Sequence, residues 1–232
     1  MKIIDILNSK KTISFEFFPP KQESDLPKLH ETVDRLSTYN PDFVSFTYGA
    51  GGNTRQLTTQ VSKEAKLSDK FEVMSHLTCI AHNEKEIVDI LKDLSLSNIE
   101  NIIALRGDTP KDMNISNNNL KHGTDLIEII KSNFSNFCIA GACYPESHPE
   151  SNNFKDEIFF TKMKKDKGAD LIVSNQSHIF WKNAFKMNSF INGPSNYIFA
   201  SSKVLSDQLM GNEKLKDYMH LTRGDGDGPI NL

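Results

Sequence analysis

The sequence predicts an α/β fold: a (β/α)8 barrel of the TIM type, trimmed or incomplete after its sixth βα unit. Three observations carry this expectation. Short apolar segments rich in β-branched and aromatic residues alternate with amphipathic ones. The apolar segments begin near residues 13, 43, 72, 102, 137 and 171, at intervals of 29–35 residues. Polar or ionisable residues recur at the carboxyl end of each, where a parallel barrel builds its site. An open doubly wound sheet is the alternative, weakened because no GxGxxG follows the first strand. The chain has 232 residues, whereas a full barrel usually takes ~250.

Taken in order, residues 12–18 (TISFEFF) read as a strand stopped by Pro19 and Pro20. Residues 25–39 place Leu29, Val33 and Leu36 on one helical face. Phe43–Phe46 is a short apolar strand running into a Gly-rich turn, and Thr54 opens a helix to about Ser68. Phe71–Leu77 is the third strand. Asn83 followed by Glu86 is a capping-box start for a helix striped by Ile87, Ile90, Leu91 and Leu94. Residues 101–105 form the fourth strand, followed by a polar loop to about 122. Leu126, Ile129, Ile130 and Phe134 stripe the next helix, and Phe137–Gly141 is strand five. A helix from Phe154 to Lys167 ends at Gly168, and Leu171–Asn175 is strand six. Beyond it, Tyr197–Ser201 suggests a seventh strand, Lys203–Tyr218 a helix and His220–Arg223 the stub of an eighth strand.

Composition narrows the function. Lys and Arg total 27 against 30 Asp and Glu, a net charge of −3, so a globally basic nucleic-acid binder is excluded. Mean hydropathy is −0.45, and no apolar run approaches the ~20 residues of a membrane span. The opening MKIIDILNSKK has Asp5 and no long apolar core, unlike a secretory signal. The three cysteines, Cys79, Cys138 and Cys143, fall in no CxxC spacing, which argues against a disulfide framework or zinc site. A cytoplasmic protein is expected. Only Arg35, Arg55, Arg106 and Arg223 are Arg, so each is a position of interest.

The strand ends supply the candidate chemistry. Glu16 sits inside an apolar strand, where a carboxylate is costly unless paired or facing a cavity. It is either half of an inter-strand ion pair or a proton donor whose pKa burial raises. Thr47 and Tyr48 lead into Gly49-Ala50-Gly51-Gly52. His76 and Thr78 end strand three. Arg106-Gly107-Asp108 ends strand four, offering a planar donor fork and a backbone open to close approach. Tyr144, Glu146 and His148 follow strand five, and Asn175-Gln176 follow strand six. No HxxxH, HExxH or GxSxG occurs, so neither a metal site nor a nucleophile elbow is expected. The inventory suits a large planar phosphorylated cofactor that carries the difficult chemistry.

Six segments together resemble one family. FEFFPPK (15–21), PDFVSFTYGAGG (41–52), HLTC (76–79), ALRGD (104–108), YPESHPE (144–150) and KGAD (167–170) are similar, in order and spacing, to methylenetetrahydrofolate reductase. The resemblance covers roughly residues 10–176. It implies a barrel holding FAD that reduces 5,10-methylenetetrahydrofolate to 5-methyltetrahydrofolate with NADH or NADPH, in one domain and as a homo-oligomer. It further implies that Glu16 is the general acid and that Asp108 lies beside flavin and pterin. The implied FAD contacts are Thr47, Tyr48, Ala50, His76, Arg106, Gly107, Asp108, Gly123, Tyr144, His148, Ser151 and Lys164. Glu16, Asp108 and Gln176 are the implied folate contacts.

The chain also departs from the family pattern. His122 stands where some members have an aromatic residue, Glu157 replaces an Asp, and Phe160 and Met163 occupy positions that are polar in familiar members. After Gln176 neither a Pro-Gly-Ile-(Leu/Met)-Pro strand nor a Tyr-Thr-Leu-Asn-Arg strand is found, so residues 177–232 form a divergent tail. A truncated relative that binds FAD or folate, or serves as a partner subunit, without turnover is therefore the alternative. An aldolase-type barrel would need a Schiff-base Lys at a strand end, and none is seen.

Overall fold

In the computed structural model, side chains along the first six strands alternate between two cores. The structure describes residues 1–10, 12–48, 52–80, 82–108, 120–144, 153–174, 198–201 and 219–223. The strands are β1 (Ile13–Phe17), β2 (Phe43–Phe46), β3 (Glu72–Thr78), β4 (Asn101–Leu105), β5 (Cys138–Cys143), β6 (Leu171–Ser174), β7 (Ile198–Ser201) and β8 (Met219–Arg223). The helices are α1 (Ile3–Ser9), α2 (Leu26–Ser37), α3 (Gly52–Leu67), α4 (Glu84–Leu96), α5 (Gly123–Asn133) and α6 (Phe154–Asp166).

One set of strand residues packs outward under the helices. Phe15, Phe17, Val44, Phe46 and Val73 meet Leu29 and Leu36 of α2 and Leu57 and Val61 of α3. Leu77, Ile102, Ala104 and Ile139 meet Ile87, Leu91 and Leu94 of α4 and Leu126, Ile127 and Ile130 of α5. The alternate set fills the lumen: Phe43, Met74, Ile103, Cys138, Ala140 and Leu171. This two-sided burial is why the strands read as near-continuous apolar runs. α1 adds Ile3, Ile6 and Leu7 to the lumen cluster and plugs the amino-terminal end of the barrel. A plugging helix in these residues was not among the elements expected.

The helix ends follow the expected chemistry. At α4, Asn83 Oδ1 accepts the Glu86 N–H at 2.9 Å and Glu86 Oε2 accepts the Asn83 N–H at 2.8 Å, a reciprocal capping box. Gly168 follows α6 at φ +107°, the left-handed conformation that favours glycine after a helix. The helix expected from a Thr54 cap begins two residues earlier, at Gly52.

The eight strands form a closed ring in chain order. Pairings from β1–β2 through β6–β7 are parallel. β8 departs from the βα pattern and runs antiparallel to both β7 and β1. An antiparallel strand still offers N–H and C=O groups to both edges, so it closes the ring without the last parallel crossover. Its register sets Arg223 opposite Ile13, at the end of β1 away from Phe17. The helix expected over 203–218 lies outside the described residues. Among the described residues no helix is long and apolar enough to cross a membrane.

Candidate active site

β2 to β5 end at the rim of one cavity of about 540 Å³, within the range usual for small-molecule and cofactor sites. β4 delivers Arg106, Gly107 and Asp108 to its wall, β2 delivers Tyr48 and β5 Tyr144. Gly107 has φ +85°, and a Cβ there would lie 2.8 Å from Thr78 Cβ and 2.9 Å from Ile80 Cγ2. Only glycine fits that turn. The turn folds the Arg106 side chain back, so that Nε donates to the Gly107 carbonyl at 3.3 Å. Asp108 is exposed at the rim.

α6 crosses the floor. Its Lys164 Nζ donates to the Ala142 carbonyl at 2.6 Å and lies 5.9 Å from the Tyr144 ring centroid. Burial pushes the Lys164 ammonium below its ordinary pKa, while Cys143 and Glu157 pull it back up. Burial raises Tyr144, and Glu157 adds to that. Both phenols of the wall therefore stay protonated, since burial also pushes Tyr48 up to about 12. Helix and strand approach closely here because residue 141 is glycine: a Cβ on it would meet Lys164 Cβ at 3.2 Å.

Beside the cavity, inside the lumen, lies a second polar group. Ser45 Oγ donates to Glu16 Oε2 at 3.3 Å. His76 Nε2 is 3.2 Å from the same oxygen, but not aligned as a hydrogen bond, and has no other hydrogen-bond partner among the described residues. The two side chains are only 10% and 7% exposed. The carboxylate is thus held across three strands, between Ser45 of β2 and His76 of β3. Thr78, two residues beyond His76 on β3, lines the cavity, so the cluster lies about 7 Å along the strand from it.

Of the residues singled out in the sequence, Tyr48, Arg106, Gly107, Asp108, Gly123, Tyr144 and Lys164 line this one cavity. Glu16 and His76 pair next to it. Thr47 is tied through its backbone, its N–H donating to Phe17 at 2.9 Å and its carbonyl accepting Thr58 Oγ1 at 3.0 Å. Ala50, His148, Ser151 and Gln176 lie outside the described residues. The departures His122, Glu157, Phe160 and Met163 all border the cavity. Sequence reasoning gave no site role to Arg55, which lines it, or to His82, whose Nε2 lies 3.0 Å from the Tyr48 hydroxyl. The scarcity of Arg was the signal for Arg55. The Cys79 and Cys138 thiols are not candidate nucleophiles: burial pushes both up to about 11. No cluster of three or more His, Cys, Asp or Glu able to hold a metal occurs among the described residues.

Comparison with known proteins decides the family. The family described as methylenetetrahydrofolate reductase matches residues 2–190. The chain belongs to the methylenetetrahydrofolate reductase family. It is 35% identical over 192 residues to methylenetetrahydrofolate reductase (NADH) 1 of Arabidopsis thaliana, covering 75% of this chain and 32% of that protein. It is 36% identical over 162 residues to the 5,10-methylenetetrahydrofolate reductase of Escherichia coli, covering 70% of this chain and 53% of that one. The chain thus spans about a third to a half of these curated relatives. Among solved structures, a Clostridium thermocellum protein described as binding two copies of 5-methyl-5,6,7,8-tetrahydrofolic acid superposes with TM-score 0.54 at 15% identity, over 88% of this chain and 64% of that one. An oxaloacetate acetylhydrolase superposes with TM-score 0.50 at 10% identity, over 71% and 61%. At such identities these likenesses bear on the barrel fold alone.

Proposed function

We propose that this methylenetetrahydrofolate reductase family member is a flavin-dependent reductase of 5,10-methylenetetrahydrofolate that uses NADH or NADPH. The observation that carries the reading is the buried Glu16 carboxyl beside a cavity walled by Arg106, Gly107, Tyr48 and Lys164. That lining fits FAD. Arg55, Arg106 and Lys164 are cationic donors suited to phosphates, and Tyr48 and Tyr144 give the wall aromatic surface. A bound flavin would supply the hydride relay between nicotinamide and folate.

The chain's own residues do the rest. Glu16 holds a proton at its carboxyl and gives it to a folate ring nitrogen, opening the ring to an iminium electrophile. Ser45, donating to Oε2, orients that carboxyl. Asp108 sets a negative charge near the cationic folate. Thr47, Ala50, His76, Gly123, His148 and Ser151 are proposed as further flavin contacts and Gln176 as a folate contact. Residues 1–232 are proposed as one barrel domain, with the family match extending to residue 190 rather than ending at 176.

The test is the visible spectrum of the purified protein, with FAD added back, before and after anaerobic NADH or NADPH. A flavin spectrum that bleaches, then recovers with methylenetetrahydrofolate, is expected. A protein that stays colourless with added FAD overturns the reading. In Glu16→Gln, folate reduction should fall by about 10²–10⁴-fold while flavin reduction persists. Equal loss of both half-reactions refutes the role.

One observation favours a second reading, binding without turnover. Phe160 and Met163 make part of the cavity wall apolar. Under that reading the flavin binds but does not pass hydride to folate.

A further inference from the structure

We propose that His82, held as the neutral imidazole with its proton on Nδ1, is a positioning residue that fixes the Tyr48 phenol as a wall of the cavity. Its consequence for flavin binding rests on the function proposed above, but the network itself lies within the protein.

Four contacts carry it. The Tyr48 hydroxyl is 3.0 Å from His82 Nε2. The two rings also meet edge to face, with centroids 6.0 Å apart at 66°. On the other side, His82 Nδ1 is 3.6 Å from Glu86 Oε2, too long for a hydrogen bond but close enough for the carboxylate to favour a proton on that nitrogen. Glu86 is itself immobilised, because the same oxygen accepts the Asn83 N–H of the α4 capping box.

The direction of the chain follows. With the proton on Nδ1, Nε2 has only a lone pair, so the phenol must donate to it. Burial, aided by Arg55, lowers the imidazole below its ordinary pKa against the pull of Glu86, which favours the neutral ring near pH 7. The Tyr48 proton is thereby occupied, and its oxygen can only accept from whatever fills the cavity. A helix cap is thus coupled to the cavity wall: the start of α4 sets the pose of a side chain at the end of β2. The His82 side chain is only 9% exposed, so solvent does not compete freely for either nitrogen.

Two arms test this. In flavin-free protein, long-range ¹H–¹⁵N NMR of the imidazoles is expected to show His82 as the Nδ1–H tautomer, assigned by its disappearance in His82→Gln. Tyr48→Phe should shift its Nε2 resonance and leave the other histidines in place. An Nε2–H tautomer, or no response to Tyr48→Phe, overturns the proposal. In the second arm, FAD affinity is measured by fluorescence quenching. Tyr48→Phe and His82→Ala should each weaken it about fivefold, the worth of one ordinary hydrogen bond. The double variant should be no weaker than the poorer single one, and His82→Gln, whose amide oxygen can accept from the phenol, should restore most of the loss. Additive losses, or no rescue by Gln, overturn the positioning role. If the wild type binds no FAD, the functional reading fails, and the NMR arm still decides the network.

Discussion

Gly107 bears the tightest constraint in the cavity wall. At φ +85° a side chain is strained, and the atoms a Cβ would strike are the branched carbons of Thr78 and Ile80, which have little freedom to yield. Gly107→Ala should therefore destabilise the protein by about 2–4 kcal/mol, from left-handed strain plus overpacking. Urea unfolding measures this, and a loss below about 0.5 kcal/mol, as at an ordinary surface site, would mean the turn relaxes freely. The RGD turn was legible in the sequence because its chemistry is local: a fork-shaped donor, a glycine and a carboxylate in succession at a strand end. His82 was not. Its meaning comes from Tyr48, 34 residues earlier, and from Glu86, and no periodicity links a loop histidine to a strand-end phenol. Glu16 falls between these cases. A charge in an apolar strand announces itself, but only the β1–β2–β3 register brings it to Ser45 and His76.

The element least visible beforehand is α1. Seven residues cannot hold a helix in water by themselves, so neither propensity nor pattern marks one. It exists because Ile3, Ile6 and Leu7 fill the amino end of the lumen and because Asn101 anchors its first turn. Asn101 is fully buried at the start of β4. Its Oδ1 accepts the Ile3 N–H at 2.7 Å, and its Nδ2 donates to the Met1 and Val73 carbonyls at 3.1 and 3.3 Å. Asn101→Ala leaves these groups without their side-chain partner at a site water enters poorly. The expected loss is about 1–3 kcal/mol, with hydrogen-exchange protection falling first at the Ile3 amide. Unchanged protection there would show that apolar packing alone seats the plug. By contrast β2 and β4 match their expected bounds, and α4 starts at its expected cap. A strand buried on both faces, or a helix with a capping residue at the right offset, carries its own punctuation.

At the scale of the whole molecule, the question is how a barrel closes when the family match ends at residue 190. Six evenly spaced βα units made β1 to β6 legible. They could not foretell the direction of the final strand, because no spacing rule distinguishes a parallel from an antiparallel return. The ring closes through β8, whose backbone pairs with β1 over Ile13–Phe17 and with β7 at Ala200 and Ser201. Without it, β1 and β7 would be open edges, and open edges recruit other chains. Thr222 is the residue to probe, since it pairs with Ser14 on one side and Ser201 on the other. Proline there removes an N–H from a strand hydrogen-bonded on both sides, a position proline does not tolerate. Thr222→Pro should open the ring. Size-exclusion chromatography should then show concentration-dependent association, while wild-type and Thr222→Val chains elute alike. A Thr222→Pro chain with wild-type elution and unfolding midpoint would mean that β8 is not what closes the barrel. The first six units, which carry all of the described cavity wall, would then stand without it.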